Sequence, residues 1–278
     1  MTMRRAAIGI AVLAAPAAAQ LDNPPAWTRP TDAFPITRDI WYVGSEGLAA
    51  YLIKTRSGAI LIDGTMRANV SGIERNIARA GVRLKDVRYI LVSHAHFDHA
   101  DGVAALAKAT GAQVLTGRGD LAAMRTGIPP GEVSYGVIRF PAVPGARGLA
   151  DGQRIMLGGV TLTAFATPGH TPGCTSYRMM SEGRRVVFPC SVTVAGNRLI
   201  GNRRYPGIVT DFRMSFDRLA RERADIVLPA HAEVADLLGR HQRGEGFVQP
   251  ALLGQLAAKA RTAFDADLAK QQAAAAEK

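Results

Sequence analysis

Three of the six histidines in this chain fall within one stretch of six residues. The stretch directly follows a short apolar run and reads His94-Ala95-His96-Phe97-Asp98-His99. Alternate side chains of an extended chain face the same side, so His94, His96 and Asp98 are expected to point together. A bend into a helix can bring His99 into the same pocket. Neutral imidazoles and a carboxylate are good zinc donors, and a buried structural histidine explains one such residue but not three, so the spacing predicts a metal centre.

Two further histidines lie just after predicted strands. His170 is bracketed by prolines and glycines in the stretch Thr167-Pro168-Gly169-His170-Thr171-Pro172-Gly173, a stiff turn that suits a ligand which must stay in place. His231 follows the apolar run of residues 226–228. With the cluster they make six donors, which fit two metal ions of three protein ligands each. Three ligands leave each ion an open position, as in catalytic zinc sites. His241 lies in a polar stretch and is predicted to be an ordinary surface residue.

Strand and helix signals alternate along the chain and place these donors at strand ends. Strands are predicted at residues 40–43, 48–54, 59–62, 87–92, 112–115, 154–157, 160–167, 175–179, 185–188 and 226–228. Helical periodicity predicts helices at residues 70–80, 103–109 and 212–223. A C-terminal helix carries an apolar stripe from Leu252 to Leu268, and its Ala-rich end is expected to fray. Strands followed by helices, twice over, predict two β-layers with helices on both outer sides.

Two segments have less certain patterns. Residues 126–151 are rich in Gly and Pro and are predicted to form a long loop with at most one strand, a type of segment that is often functional. The triplet Ser181-Glu182-Gly183 predicts a hairpin centred on Glu182, which puts Cys174 and Cys190 at equal distances from the turn. A disulfide between them is conceivable, but directly opposed strand cysteines strain the bond, and the sequence leaves the pairing open.

Composition excludes several classes of protein. The chain has 278 residues, of which 47% are hydrophobic and 21% are charged, so a disordered or fibrous chain is excluded. After the N-terminal segment, no apolar run approaches the ~20 residues that a membrane helix needs. The net charge of +11 suggests anionic partners. There is no run of five like charges and no basic stretch interleaved with aromatics, so no nucleic-acid partner is predicted.

The first residues predict a secretory signal peptide. Arg4 and Arg5 precede an apolar stretch, and the small residues Ala17 and Ala19 are placed for cleavage before Gln20. No Cys follows at that point, so a lipid anchor is not expected. The predicted organisation is a signal peptide over residues 1–19 and a single domain over residues 20–278. Export to the periplasm would permit disulfides.

With these motifs together, the chain resembles the metallo-β-lactamase superfamily and, over nearly all of its mature length, subclass B3 of the metallo-β-lactamases. The six-residue metal motif is typical of the superfamily. The stretches that point to the subclass are residues 40–44, 61–64, 170–173, 201–206 and 211–213 with 215–216. The resemblance implies an α/β fold, the αββα sandwich of two β-sheets with helices on both outer faces.

The resemblance also implies a set of ligands for two Zn²⁺ ions per chain. His94, His96 and His170 would hold the first ion, and Asp98, His99 and His231 would hold the second. In the first subclass, the position of His99 is usually not a ligand, and a later Cys completes the second site. Here His99 supplies that donor, so neither Cys190 nor Ser191 is needed on the metal.

The implied activity is zinc-dependent hydrolysis of the β-lactam amide bond, carbapenems included, by a hydroxide that the metals make available and Asp98 orients. The main alternative is another metal-dependent hydrolase of the same fold, acting on a lactone, ester or thioester. Those relatives resemble one another in having a metal-bridging Asp after the His turn, and residues 187–191 contain none. An iron-dependent dioxygenase and a non-enzymatic metal- or anion-binding protein are further alternatives. Ser-x-x-Lys and Lys-Thr-Gly are absent, which excludes a serine β-lactamase.

Several residues are implied to contact the substrate, a small-molecule β-lactam. Ser191 and Thr193 match positions that meet the substrate carboxylate in this subclass. Asn197 falls where some relatives place a Tyr that helps the oxyanion, and its amide could donate instead. Phe97 either walls the pocket or only packs, and Asp63 either orients a metal ligand or caps a turn. The protein is expected to be a monomer without a membrane anchor.

Overall fold

The computed structural model describes residues 23–131 and 139–277. The predicted signal peptide, residues 1–19, lies outside the described residues. Within them, no helix has both the length and the apolar character needed to cross a bilayer.

Seven strands form the first sheet, in chain order: β1 (Phe34–Pro35), β2 (Ile40–Tyr42), β3 (Tyr51–Thr55), β4 (Gly58–Ile62), β5 (Val87–Val92), β6 (Gln113–Gly117) and β7 (Arg147–Leu149). Strands β1 to β4 pair antiparallel, whereas β4 to β7 pair parallel. Parallel strands need crossover connections, and helices cover this half of the sheet for that reason. The carboxyl ends of β5 and β6 therefore open onto the same edge.

Five strands form the second sheet: β8 (Arg154–Leu157), β9 (Val160–Ala166), β10 (Thr175–Ser181), β11 (Arg184–Phe188) and β12 (Ile226–Val227). Their order across the sheet is β12-β11-β10-β9-β8, and all the pairs are antiparallel except β11 with β12.

Helices cover both outer faces. On the first sheet lie α1 (Val70–Arg79), α2 (Phe97–Ala100), α3 (Val103–Thr110) and α4 (Leu121–Thr126), whereas α5 (Ile208–Arg221), α6 (Leu237–Gln242) and α7 (Leu252–Ala276) follow the second sheet. The inner faces of the sheets share one apolar core that includes Tyr51 and Phe188. Separate clusters lie between the first sheet and its helices, and between the second sheet and α5 and α7. The predicted αββα sandwich is confirmed.

The β10–β11 hairpin corrects the predicted centre of the turn. Ser181 pairs with Arg184, so the turn consists of Glu182 and Gly183, which have φ angles of 49° and 74°. Two consecutive positive φ values are those of a type I′ turn, whose twist suits a hairpin. The centre lies between these residues, and the two cysteines are therefore offset by one position instead of directly opposed.

The open question of the cysteines is answered by the structure. Cys174 and Cys190 lie just beyond the paired ends of β10 and β11, and they form a disulfide with their Cα atoms 5.9 Å apart. Both residues are buried. The bond closes the mouth of the hairpin next to the residues that follow β5.

Two helical segments differ from expectation. Helix α4 lies in a stretch for which no element was predicted, and Gly127 ends it in the left-handed conformation with φ 72°. The C-terminal helix, whose Ala-rich end was expected to fray, is helical to Ala276 in the structure. Near its end, Gln271 donates from Nε2 to the Asn197 carbonyl (3.1 Å) and accepts from the Leu199 amide at Oε1 (2.7 Å). These contacts join the helix, at Gln271, to the loop of residues 191–202.

Candidate metal centre

The six-residue motif begins two residues after β5 ends. His96 has extended backbone angles of −91° and 155° immediately before α2, so the chain turns into the helix between His96 and Phe97. That bend brings Asp98 and His99, both on α2, towards the histidines of the extended part. The start of the motif is fixed from the second sheet, because the Tyr177 hydroxyl donates to the Val92 carbonyl at 2.9 Å.

His170 reaches the centre from the turn after β9. A Cβ on Gly169 would lie 2.6 Å from the ring of Phe212, and its φ is 131°, so the turn requires glycine at that position. Nδ1 of His170 lies 2.7 Å from the Thr193 carbonyl, which can accept only from a protonated nitrogen. This contact fixes the tautomer and leaves Nε2 of His170 as a free lone pair facing the centre.

Three imidazoles form a first donor group. Nε2 of His170 lies 3.1 Å from Nε2 of His94 and 3.0 Å from Nδ1 of His96. All three residues are buried, and burial lowers the pKa of each, that of His170 to about 4. Neutral rings whose nitrogens converge this closely have lone pairs directed at one point, an arrangement that a cation satisfies.

A second donor group adjoins the first. Nε2 of His99 lies 3.1 Å from Oδ2 of Asp98 and 3.3 Å from Nε2 of His231, which is itself 3.5 Å from the same carboxylate oxygen. Burial alone would raise the pKa of Asp98, but the charge of His99 and hydrogen bonds from His231 and His99 hold it well below its usual value. The carboxylate is therefore ionised at neutral pH.

Carboxylates outside the donor groups contact the far sides of two rings. Asp63 accepts from both the amide and the hydroxyl of Ser93 at 2.7 Å, and its Oδ2 lies 3.4 Å from Nδ1 of His99. Glu233 lies 3.7 Å from Nδ1 of His231. Asp63 thus contacts the ring of a metal-ligand candidate rather than serving only as a turn cap. Burial would lower the pKa of His99, but Asp98 and Asp63 outweigh it and raise that pKa to about 10.

A cavity of about 350 Å³ opens above both donor groups. Its lining combines donors with apolar walls: Asn23, Pro24, Trp27, His96, Phe97, Asp98, His170, Thr193, Ala195 and His231. The Trp27 ring lies 5.5 Å from the His231 ring and 6.3 Å from the Phe97 ring, measured between centroids. The volume suits a small molecule.

The four residues predicted to contact a substrate lie in different environments. Phe97 and Thr193 line the cavity, whereas Ser191 is half-buried and is not part of the lining. Asn197 is buried, and its Nδ2 donates to the carbonyls of His170 (3.1 Å) and Val194 (2.8 Å). An amide with both hydrogens committed to the main chain has none left for an oxyanion, so Asn197 supports the His170 turn instead. His241, predicted to be a surface residue, is exposed and stacks on Phe34.

Sequence reasoning did not identify Trp27 as part of the site. Its carbonyl accepts from the Ser45 hydroxyl (2.8 Å) and from Nδ2 of Asn69 (2.9 Å), which fix the segment that carries the ring. A lone Trp in a Pro-rich N-terminal segment carries no positional signal, because the contacts that place it come from residues 18 and 42 positions away.

The two-sheet fold and the cluster of six donors are those of a metal-dependent hydrolase. The family model of the metallo-β-lactamase superfamily matches residues 47–231. This span contains all six donors of the centre. The chain belongs to the metallo-β-lactamase superfamily.

Solved structures place the chain with subclass B3. BJP-1, a subclass B3 metallo-β-lactamase of Bradyrhizobium japonicum, is 40% identical with a TM-score of 0.84, over 90% of this chain and 98% of that chain. A metallo-β-lactamase of Cronobacter sakazakii, described by its HARLDQ motif, is 40% identical with a TM-score of 0.84, over 89% and 98%. This chain reads HAHFDH at its motif.

Curated relatives match over shorter stretches. A hydroxyacylglutathione hydrolase of Pseudomonas aeruginosa is 33% identical over 152 residues, 55% of this chain and 46% of that protein. The match to a metal-dependent hydrolase of Anaeromyxobacter covers only 27% of that relative. These matches extend over less than half of those two proteins.

Proposed function

We propose that this protein hydrolyses the amide bond of β-lactams with two Zn²⁺ ions. The observation that carries the proposal is the convergence of six donors, in two adjoining groups of three, beneath an open cavity of about 350 Å³. The 40% identity to a subclass B3 metallo-β-lactamase over nearly its whole length supports the choice of substrate.

The donor chemistry fits zinc. Five imidazoles and one carboxylate are ligands that zinc accepts, and two groups of three leave room for a reacting molecule at each ion. In this proposal His94, His96 and His170 hold one ion, and Asp98, His99 and His231 hold the other. When bound, zinc lowers the pKa of water towards about 7 and polarises a carbonyl oxygen.

The remaining chemistry belongs to side chains of the cavity. Asp98, ionised and directed at the junction of the two donor groups, accepts a hydrogen bond from the attacking water and orients it towards the lactam carbonyl. Thr193 offers its hydroxyl to the substrate carboxylate, with Ser191 two residues earlier on the same segment. Phe97 and Trp27 enclose the apolar part of the substrate.

Thioester hydrolysis is the second candidate, and it is favoured by the similarity to hydroxyacylglutathione hydrolases. The segment after β11 argues against it. Residues 187–191 provide no carboxylate, and Cys190 is tied to Cys174, so this segment adds no negative charge between the donor groups. The more positive centre that results suits the anionic nitrogen released when a lactam ring opens.

The proposal is tested by following the absorbance of a carbapenem and a cephalosporin with purified zinc-loaded protein, with and without a chelator. Turnover that the chelator abolishes and added zinc restores is the expected result. If neither β-lactam is hydrolysed while a thioester is, the second candidate takes its place.

The pKa of His99, raised to about 10, predicts a proton release when a metal binds its nitrogen. His94, His96 and His170 are neutral, whereas His99 carries a proton that a metal must displace. Below the pKa of His99, affinity at its group therefore rises with pH, by about tenfold per unit.

Calorimetric zinc titration at pH 6, in buffers of different ionisation enthalpy, measures that release. Wild-type protein should release more protons than His99→Gln at saturating zinc, because the variant lacks both the His99 proton and one ligand of the second ion. Equal release by the two proteins would contradict the prediction.

Trp27 is expected to affect substrate binding more than turnover. Trp27→Ala removes an apolar wall of the cavity, and the lost burial should raise KM about tenfold while kcat changes less than about threefold. Trp41→Ala is the matched control, because Trp41 lies on β2 and packs in the cluster under α1. A control that raises KM equally, or a Trp27 variant that lowers kcat alone, would contradict this assignment.

We also propose that the chain is exported to the periplasm after cleavage before Gln20 and acts as a monomer. The sequence of residues 1–19 supports the first part. Intact mass of the protein recovered from a periplasmic fraction, together with its mass by light scattering, tests both.

A further inference from the structure

A buried carboxylate outside both donor groups joins the two loops that carry the first group. Asp120, at the start of α4, is completely buried. Its Oδ2 accepts from the Ala95 amide (2.8 Å) and from the Thr171 hydroxyl (2.7 Å), and its Oδ1 accepts from the Gly173 amide (2.8 Å).

These three donors belong to the segments that hold the metal-ligand candidates. Ala95 lies between His94 and His96, and Thr171 directly follows His170. The first segment follows β5 of the seven-stranded sheet, and the second follows β9 of the five-stranded sheet. One side chain therefore sets the distance between ligands that come from different sheets.

The backbone around Asp120 is built for this close approach. A Cβ on Gly173 would lie 2.2 Å from the Asp120 amide nitrogen, and a Cβ on Gly119 would lie 2.4 Å from the Pro172 backbone. Neither position has room for a side chain. The segment before α4 and the His170 turn are thus in direct main-chain contact, with the Asp120 carboxylate inserted towards the motif.

Burial of the ionised Asp120 carboxylate is unfavourable in free energy, and its three hydrogen bonds offset this only in part. Burial raises the pKa of Asp120 to about 6, against the opposing effect of the three hydrogen bonds. Among the described residues, its contacts are hydrogen bonds from Thr171, Ala95 and Gly173, with no charged partner. Asp120 is thus a buried acceptor that joins two segments carrying metal-ligand candidates, and this position points to a role in holding those segments rather than to packing alone.

We propose that Asp120 is a positioning residue that fixes His94 and His96 against His170 and thereby sets the metal affinity of this group. The inference rests on the proposed function in one respect, that these three histidines bind zinc. It does not depend on which substrate is hydrolysed.

Asp120→Asn tests the inference with little change in shape. The amide presents N–H groups where the carboxylate accepted, so it opposes at least one of the three donors. Zinc affinity, measured by competition with a chromophoric chelator, should fall about 10–100-fold. Losses of this size are typical when a residue that holds metal ligands in place is replaced. The visible absorption of the Co²⁺-substituted protein should change as well, because it reports the geometry of the donors.

Asp225→Asn is the matched control. Asp225 also accepts from a main-chain amide, that of Arg185 at 2.7 Å, at the opposite end of β11. This variant should keep the zinc affinity and the Co²⁺ spectrum of wild type. If Asp120 had a purely structural role, Asp120→Asn would lower thermal stability but leave the zinc affinity of the folded protein unchanged, as in Asp225→Asn. That result would overturn the inference.

Thr171 provides an independent test should Asp120→Asn not fold. Thr171→Val removes one of the three donors and should weaken zinc binding in the same direction by a smaller factor, whereas Thr171→Ser should restore it. Wild-type affinity in Thr171→Val would overturn the inference. Zinc binding that weakens as expected in a protein without β-lactam turnover would refute the proposed substrate alone, and failure of wild type to bind zinc would overturn both.

Discussion

Replacing Asp98 with Asn should lower the kcat for β-lactam hydrolysis by about 10³-fold or more, a loss typical of an essential charged group at a reaction centre. The side chain keeps its shape but loses its charge. Asp98 is the one carboxylate in the two donor groups, and its Oδ2 lies 3.1 Å from His99 and 3.5 Å from His231. An amide N–H turned towards these nitrogens would repel a cation and could not accept a hydrogen bond from the attacking water.

The metal content of Asp98→Asn distinguishes this explanation from general damage. We expect one tightly bound zinc ion per chain in place of two, by mass spectrometry under native conditions, because His94, His96 and His170 remain intact. Asp101→Asn is the control, since that carboxylate lies three residues further on and accepts from the Arg67 amide at 2.7 Å. Full activity in Asp98→Asn would refute the assignment of the second donor group.

The largest stability loss is expected at Phe264→Ala. Phe264 is completely buried on α7, and its ring lies 5.1 Å from Phe212 and 5.5 Å from Phe216, both on α5. Truncation leaves a cavity between the two helices that the neighbouring rings fill only in part. The free energy of unfolding should fall by about 3–5 kcal/mol.

Chemical denaturation followed by circular dichroism measures this loss. Asp267→Ala, an exposed change one turn further along the same helix, should stay within about 0.5 kcal/mol of wild type. Equal stability of the two variants would show that α7 does not depend on the aromatic cluster with α5.

Much of the architecture could be predicted because its signals are local. The apolar runs around residues 87–92 and 226–228 were predicted strands, and both form strands that end next to the candidate metal centre. Helix α4 was missed since only six residues form it, too few for a periodic stripe. The turn of the β10–β11 hairpin was placed half a residue early, because the triplet at residues 181–183 does not itself specify which pair closes the turn.

The donors of the candidate centre were predictable for a different reason. Five of the six are histidines, and the chain has only six histidines in all. The spacing of His94, His96 and Asp98 follows the geometry of an extended segment. Roles that depend on the folded surroundings were not predictable in the same way. Asn197 was expected to face a substrate, yet its amide supports the His170 turn, and Asp120 carries no sequence signal because its three partners lie 25 to 53 positions away.

The contact between Gln271 and the loop of residues 191–202 has a consequence for the order in which the site assembles. That loop supplies Thr193 to the cavity, and its Thr193 carbonyl accepts a hydrogen bond from Nδ1 of His170. Its own main chain is held by Gln271, a residue made some seventy positions later. During synthesis, all six donors are therefore translated before α7, the helix whose contact with this loop supports the position of His170. A chain released from the ribosome before residue 271 would contain all six candidate donors and lack the Gln271 contact that holds the loop of residues 191–202 beside them.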